Sequence, residues 1–104
     1  MKELSVVFNV SVSDEVVGAL AGAGVGEYTL VPRCRGRGKV TEPRMDDHVW
    51  PGINSLLLAV VDDAAAQAAM KALQALRDGN AGKAGVFAYL KPVEATLVPP
   101  LGAP

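Results

Sequence analysis

Ile53 to Asp63, INSLLLAVVDD, constrains the fold of this chain more than any other stretch. It is nearly continuous in apolar residues up to Val61, too short to cross a membrane and too apolar for a strand with one wet face. It therefore reads as a strand buried on both sides. Such a strand needs a covering layer on each face, and the rest of a 104-residue chain must help supply them.

The neighbouring segments define the architecture. Lys2 to Val10, KELSVVFNV, alternates with period two, with Leu4, Val6, Phe8 and Val10 on one face and Ser5, Val7 and Asn9 on the other, as in a strand. Ser11 or Ser13 is placed to cap a helix whose first turn carries Asp14 and Glu15 at the positive end of the helix dipole. Val16, Val17, Leu20 and Ala21 follow at helical spacing, and Gly22, Gly24 and Gly26 stop the run. Glu27 to Cys34, EYTLVPRC, reads as a second strand, with Pro32 marking an edge or a bulge. Beyond the central strand, Asp62 is expected to cap a helix over DAAAQAAMKALQALRDG, with Ala65, Ala69, Ala72, Leu73 and Leu76 as its apolar stripe. Gly79 and Gly82 end it. Gly85 to Glu94, GVFAYLKPVE, forms a fourth strand, and the tail ATLVPPLGAP is too rich in proline and glycine to continue regular structure beyond about Val98.

The order β-α-β-β-α-β predicts an α+β fold, the split βαβ ferredoxin-like sandwich of an antiparallel sheet with two helices on one face. By length it is one domain over residues 1–104, with a long loop at 33–52 and an irregular tail at 96–104. Val7, Leu57 and Val61 are expected on the face away from the helices. No segment remains to cover them, so self-association is expected.

Composition narrows the function. The formal net charge of −1 argues against a general binder of nucleic acid or membrane surfaces. A single cysteine excludes an internal disulfide and fits a reducing compartment. No apolar run approaches membrane-spanning length, and the N-terminal segment lacks a cleavage pattern, so a cytoplasmic protein is expected.

The loop Arg33–Gly52, RCRGRGKVTEPRMDDHVWPG, holds the only cysteine (Cys34), the only histidine (His48) and the only tryptophan (Trp50). It also holds half of the ten basic residues: Arg33, Arg35, Arg37, Lys39 and Arg44. Arg35 to Lys39, RGRGK, alternates cations with glycines that let backbone N–H groups approach a ligand, which suits phosphate or carboxylate. His48 with Asp46 or Asp47 offers a divalent metal nitrogen and oxygen ligands, although adjacent positions rarely converge on one ion. Trp50 and Pro51 suit a turn into the third strand. One histidine without an orienting partner does not make a nucleophilic site, and no enzyme is expected.

Four segments of this sequence resemble the PII signal-transduction superfamily over about residues 2 to 95. GVGEYTLVPRCRGRGK is similar to the family's strand and entry into the long T-loop, and places Thr29, Gly36, Gly38 and Lys39 at matching positions. AVVDDAAAQAAMKAL is similar to its acidic strand end before the second helix, and GKAGVFAYLKPVE to its B-loop and last strand. HVWPG before an apolar strand resembles PII-like members with a shortened T-loop. The resemblance implies a homotrimer with sheets facing inward and an adenine nucleotide (AMP, ADP or ATP) between subunits. The ligand-binding residues implied are Thr29, Gly36, Arg37, Gly38, Lys39, Gly82, Lys83 and Gly85. A loop presenting Arg33, Arg35, Arg44, His48 and Trp50 is implied to engage a target protein, a transporter or an enzyme. The family's glycine-aspartate-glycine-lysine B-loop is replaced here by Gly82-Lys83-Ala84-Gly85, and ATLVPPLGAP lacks the family's arginine pair after the last strand, so a smaller nucleotide or another anion is expected over ATP. The loop has no tyrosine, so uridylylation is not expected. Two other uses of the same loop are a metal-binding trimer akin to CutA proteins, through His48 and Asp46 or Asp47, and an adaptor docking an acidic partner without a small ligand.

Overall fold

The computed structural model describes residues 1–37, 53–79 and 85–99. Its elements follow the expected order: β1 (Lys2–Asn9), α1 (Ser13–Gly22), β2 (Thr29–Cys34), β3 (Asn54–Val61), α2 (Asp63–Gly79) and β4 (Val86–Pro92). The four strands form one antiparallel sheet in the order β2-β3-β1-β4, so the two apolar strands β1 and β3 are central. Both helices lie on one face, the ferredoxin-like arrangement.

The core lies between helices and sheet. Leu4, Val6 and Phe8 of β1 pack with Leu57, Ala59 and Val61 of β3 and Val86 of β4. Val16 and Leu20 of α1 and Ala66, Ala69 and Leu73 of α2 close over them. Small alanines on α2 let that helix approach the sheet closely. Leu57 and Val61, expected on the opposite face, are therefore core residues. Strand side chains alternate, and the pairing of Leu57 with Val6 and of Val61 with Lys2 fixes which set faces the helices. Leu56, Leu58 and Val60 take the other face instead.

The helix ends show how local chemistry sets the boundaries. α1 carries no side-chain cap from Ser11 or Ser13. A short 3-10 turn, Val10–Val12, feeds it instead, and Asn9 accepts a hydrogen bond from the Ser11 amide at 3.0 Å. Val10 thereby leaves the strand and is 46% exposed rather than buried. At the other end, Gly24 has φ +91°, and the Val25 amide donates to the Leu20 carbonyl at 2.8 Å while that of Gly24 reaches Ala21 at 3.0 Å. This is a Schellman motif, and buried Val25 supplies its apolar contact. Asp62 caps α2 as expected, accepting from the Ala65 amide at 2.7 Å. Asp62→Ala should lower stability by about 1 kcal/mol in urea unfolding.

The face away from the helices is ordered in rows, read directly from the strand register. Val31, Leu56, Val7 and Phe87 form one row across all four strands. Thr29, Leu58, Ser5 and Tyr89 form the next, and Val60, Glu3 and Lys91 the last. The first row is wholly apolar, and its two ends are open to solvent, Val31 at 41% and Phe87 at 61%. None of the described residues covers it.

Candidate functional site: two half-sites on the open sheet face

The chain assembles its expected site residues at opposite ends of this open face. At one end β2 leaves the sheet. The pairing with β3 shifts between Val31 and Cys34, where Pro32 has no amide to donate and Arg33 takes the left-handed φ of +59°. This bulge bears out the reading of Pro32. It delivers Cys34, Arg35, Gly36 and Arg37 beside the first residue of β3. The Cys34 thiol donates to the Val31 carbonyl at 3.5 Å, and Arg35 and Arg37 are exposed. Gly36 lies so close to Asn54 that a Cβ there would collide with the Asn54 side-chain amide. Gly36→Ala should therefore displace the loop base and cost about 1–3 kcal/mol in urea unfolding. Gly85, at φ +60°, accepts from the Asn9 amide at 3.3 Å. Asn9 pairs with Asn54, so Gly36 and Gly85 flank the same end of the sheet.

Thr29 lies at the other end. Thr29 pairs with Leu58 and Cys34 with Asn54, four steps apart on β3, which puts roughly 13 Å between Thr29 and the loop base at about 3.3 Å per residue. It lines an open groove of about 440 Å³ with Glu27 and Tyr28 of the preceding turn and Leu58 and Val60 of β3. The opposite wall is the returning tail, through Thr96, Val98 and Pro99. The tail is held there by the Val93 amide, which donates to the Met1 carbonyl at 3.2 Å, and by the Thr96 hydroxyl, which lies 3.8 Å from the Met1 sulfur.

Glu3 also lines the groove and bonds Lys91 on β4, at 3.0 Å. The Lys91 ammonium lies 5.9 Å from the centre of the Tyr89 ring. The hydrogen bond to Glu3, and then its charge, hold the Lys91 pKa above the ordinary 10.5. Any stability this gives is fully present below pH 10.5 and lost as pH rises through the raised value. Glu3→Gln should return the Lys91 titration toward 10.5, as followed by NMR of its side chain.

One chain thus brings Gly36, Arg37 and Gly85 to one end of the face and leaves Thr29 at the other. Gly38, Lys39, Arg44, Asp46, Asp47, His48, Trp50, Gly82 and Lys83 lie outside the described residues. Among the described residues, no three His, Cys, Asp or Glu side chains group as a metal site, and no helix is long and apolar enough to cross a membrane. The groove residues Glu3, Glu27, Tyr28, Thr96 and Val98 are not singled out by the sequence. Tyr28 and Glu27 carry a local signal, being adjacent to Thr29, whereas the return of the tail depends on contacts with Met1 about ninety residues away.

Comparison with known proteins places this arrangement. The sequence pattern of the family described as nitrogen regulatory protein P-II matches residues 1–97. This chain belongs to that family. No curated protein sequence matches it. Solved P-II-like structures share its fold. CPII from Thiomonas intermedia K12, bound to ADP and bicarbonate, is 21% identical with a TM-score of 0.65, over 88% of this chain and 86% of its own. The same protein bound to ADP, AMP and acetate gives 18% identity and a TM-score of 0.66, over 90% and 88%. A PII-like signalling protein of Thermus thermophilus is 24% identical with a TM-score of 0.60, over 86% and 83%. The open sheet face is thus part of a P-II family fold.

Proposed function

We propose that this P-II chain is a cytoplasmic, non-catalytic regulator that works as a homotrimer and binds an adenine nucleotide at each junction between subunits. The observation that carries this reading is the separation of the half-sites. Gly36, Arg37 and Gly85 stand at one end of an uncovered apolar face and Thr29 with its groove at the other. A second copy laid against that face brings the basic end of one chain to the groove of the next. Gly38, Lys39, Gly82 and Lys83 extend the basic end in sequence. CPII, of the same fold, has been solved with ADP and AMP, which supports this ligand class.

Backbone N–H groups near Gly36 and Gly85, with the Arg37 guanidinium and the Lys39 ammonium, hold phosphate in this reading. Thr29 and the groove hold the uncharged part of the ligand. The loop 33–52 then takes a different shape with and without ligand, and Arg33, Arg35, Arg44, His48 and Trp50 present that difference to a target protein. Such a switch needs only that the ligand bind the two loop shapes unequally.

The test joins calorimetry with light scattering. The intact protein should bind AMP or ADP and run at three times the subunit mass. Arg37→Glu with Lys39→Glu should weaken binding by about a hundredfold, as expected for losing two charge-assisted contacts, while the mass is unchanged. A folded trimer that takes up no adenine nucleotide overturns the reading.

A further inference from the structure

The two ends of the open face carry opposite charge. The groove beside Thr29 is lined by two carboxylates, Glu3 and Glu27, and by no basic side chain among the described residues. The two carboxylates differ in their surroundings. Glu3 is already paired, 3.0 Å from the Lys91 ammonium. Glu27, exposed in the turn before β2, has no hydrogen bond or ion pair with any described residue. At the other end, beyond the bulge at Pro32 and Arg33, Arg35 and Arg37 are exposed and likewise have no partner among the described residues. Glu27 precedes β2 and Arg37 follows it, so within one chain the length of that strand keeps them apart.

Resting on the trimer proposed above, in which the basic end of one chain faces the groove of the next, we propose that Glu27 forms an ion pair with Arg37 of a neighbouring copy when no ligand is bound. The occupant of the groove in the empty state is thus the loop base of a second copy, selected by charge complementarity. Glu3 does not take this role, because Lys91 holds it. A guanidinium fork suits a carboxylate as well as a phosphate. Arg37 is also the group placed on phosphate above, so an incoming anion competes with Glu27 for it. The ion pair holds the loop in its ligand-free shape, and transfer of Arg37 to phosphate releases it. That exchange gives the two loop shapes the unequal affinity for ligand that a switch requires. The pair is weak enough to exchange, because its groove is open to solvent and surface ion pairs are screened.

The experiment is zero-length cross-linking of the intact Arg37→Lys protein with a water-soluble carbodiimide. The substitution keeps the charge at an exposed position and supplies an amine, which the reagent joins as an amide to a carboxylate in contact with it. In ligand-free protein, denaturing gels should show linked chains, and mass spectrometry of the two-chain band should find Glu27 joined to the amine introduced at position 37. The Glu3–Lys91 pair, within one chain, should link in every sample and reports that the reagent has worked. Glu27→Gln should remove the link between chains, as should about 1 M salt, where the Debye length is about 3 Å. Saturating AMP should suppress it too. A trimer in which Glu27 is joined to no residue of another chain overturns the ion pair and leaves the nucleotide reading standing. A link that persists in protein saturated with AMP, as followed by calorimetry, overturns the competition for Arg37. A protein that runs as a single subunit in light scattering overturns both the ion pair and the reading it rests on.

Discussion

A chain carrying Val7→Glu together with Leu56→Glu should remain folded, run as a single subunit in light scattering, and bind no adenine nucleotide. The two residues are direct partners in the apolar row of the open face, and both are half-buried in the isolated subunit. A carboxylate at either position keeps much of its hydration in one chain. Between copies each would be stripped of water beside like charges from its neighbours, at a cost of several kcal/mol per ion. Association is the step that this cost removes. Circular dichroism should match that of the parent, because the substituted side chains point away from the core. Loss of nucleotide binding in a folded monomer is the decisive part, since it ties the ligand to the junction. A double variant that keeps the parent mass means that this face is not the interface, and the two half-sites then have no route to each other.

The second large effect is on the fold itself. Phe8→Ala should cost about 3–5 kcal/mol, out of a total of about 5–15 kcal/mol for a domain of ordinary stability. Phe8 is fully buried and among the largest core side chains, paired in register with Ser55 on β3 and Val86 on β4. The small alanines of α2 leave little to collapse into the space. A fall in melting temperature of at least about 12 °C is expected in differential scanning calorimetry. Phe87→Ala makes the contrast. Its ring is on the opposite face and 61% exposed, so in the monomeric Val7→Glu, Leu56→Glu background it should change stability by less than about 0.5 kcal/mol. Equal losses for the two phenylalanines are incompatible with the assignment of the two sheet faces.

These contrasts show what can be read in advance. The element order is legible because the period-two pattern of Lys2–Asn9, the apolar run of Asn54–Val61 and the alanine stripe of α2 are local signals. The face of each β3 side chain is not, because a run apolar on both sides carries no alternation to orient it. Leu57 and Val61 are expected outward from the sequence, and only the register with β1 turns them inward. The capping of α1 departs from expectation for a related reason. Ser11 and Ser13 are both good caps, but α1 starts after Val12 with no side-chain cap, because Asn9 caps the 3-10 turn Val10–Val12 that leads into it. At the site, Gly36 is legible through its Arg-Gly-Arg-Gly setting, and the close approach of Asn54 gives that glycine its physical reason. The acidic groove is not legible. Glu3, Glu27 and Thr96 lie far apart in the chain, and only the sheet and the returning tail bring them together.

The bulge at Pro32 and Arg33 does more than aim the loop. β2 and β4 are the two outer strands of the sheet, and each contains a proline, Pro32 and Pro92. An outer strand with free amides is a template on which further sheets can stack end to end without limit. A missing amide on both margins, with the backbone of one of them twisted out of line, blunts that template. In the assembly proposed above, copies of this chain meet through their broad faces, where contacts can close into a ring of fixed number, rather than through their margins, where growth has no natural stop.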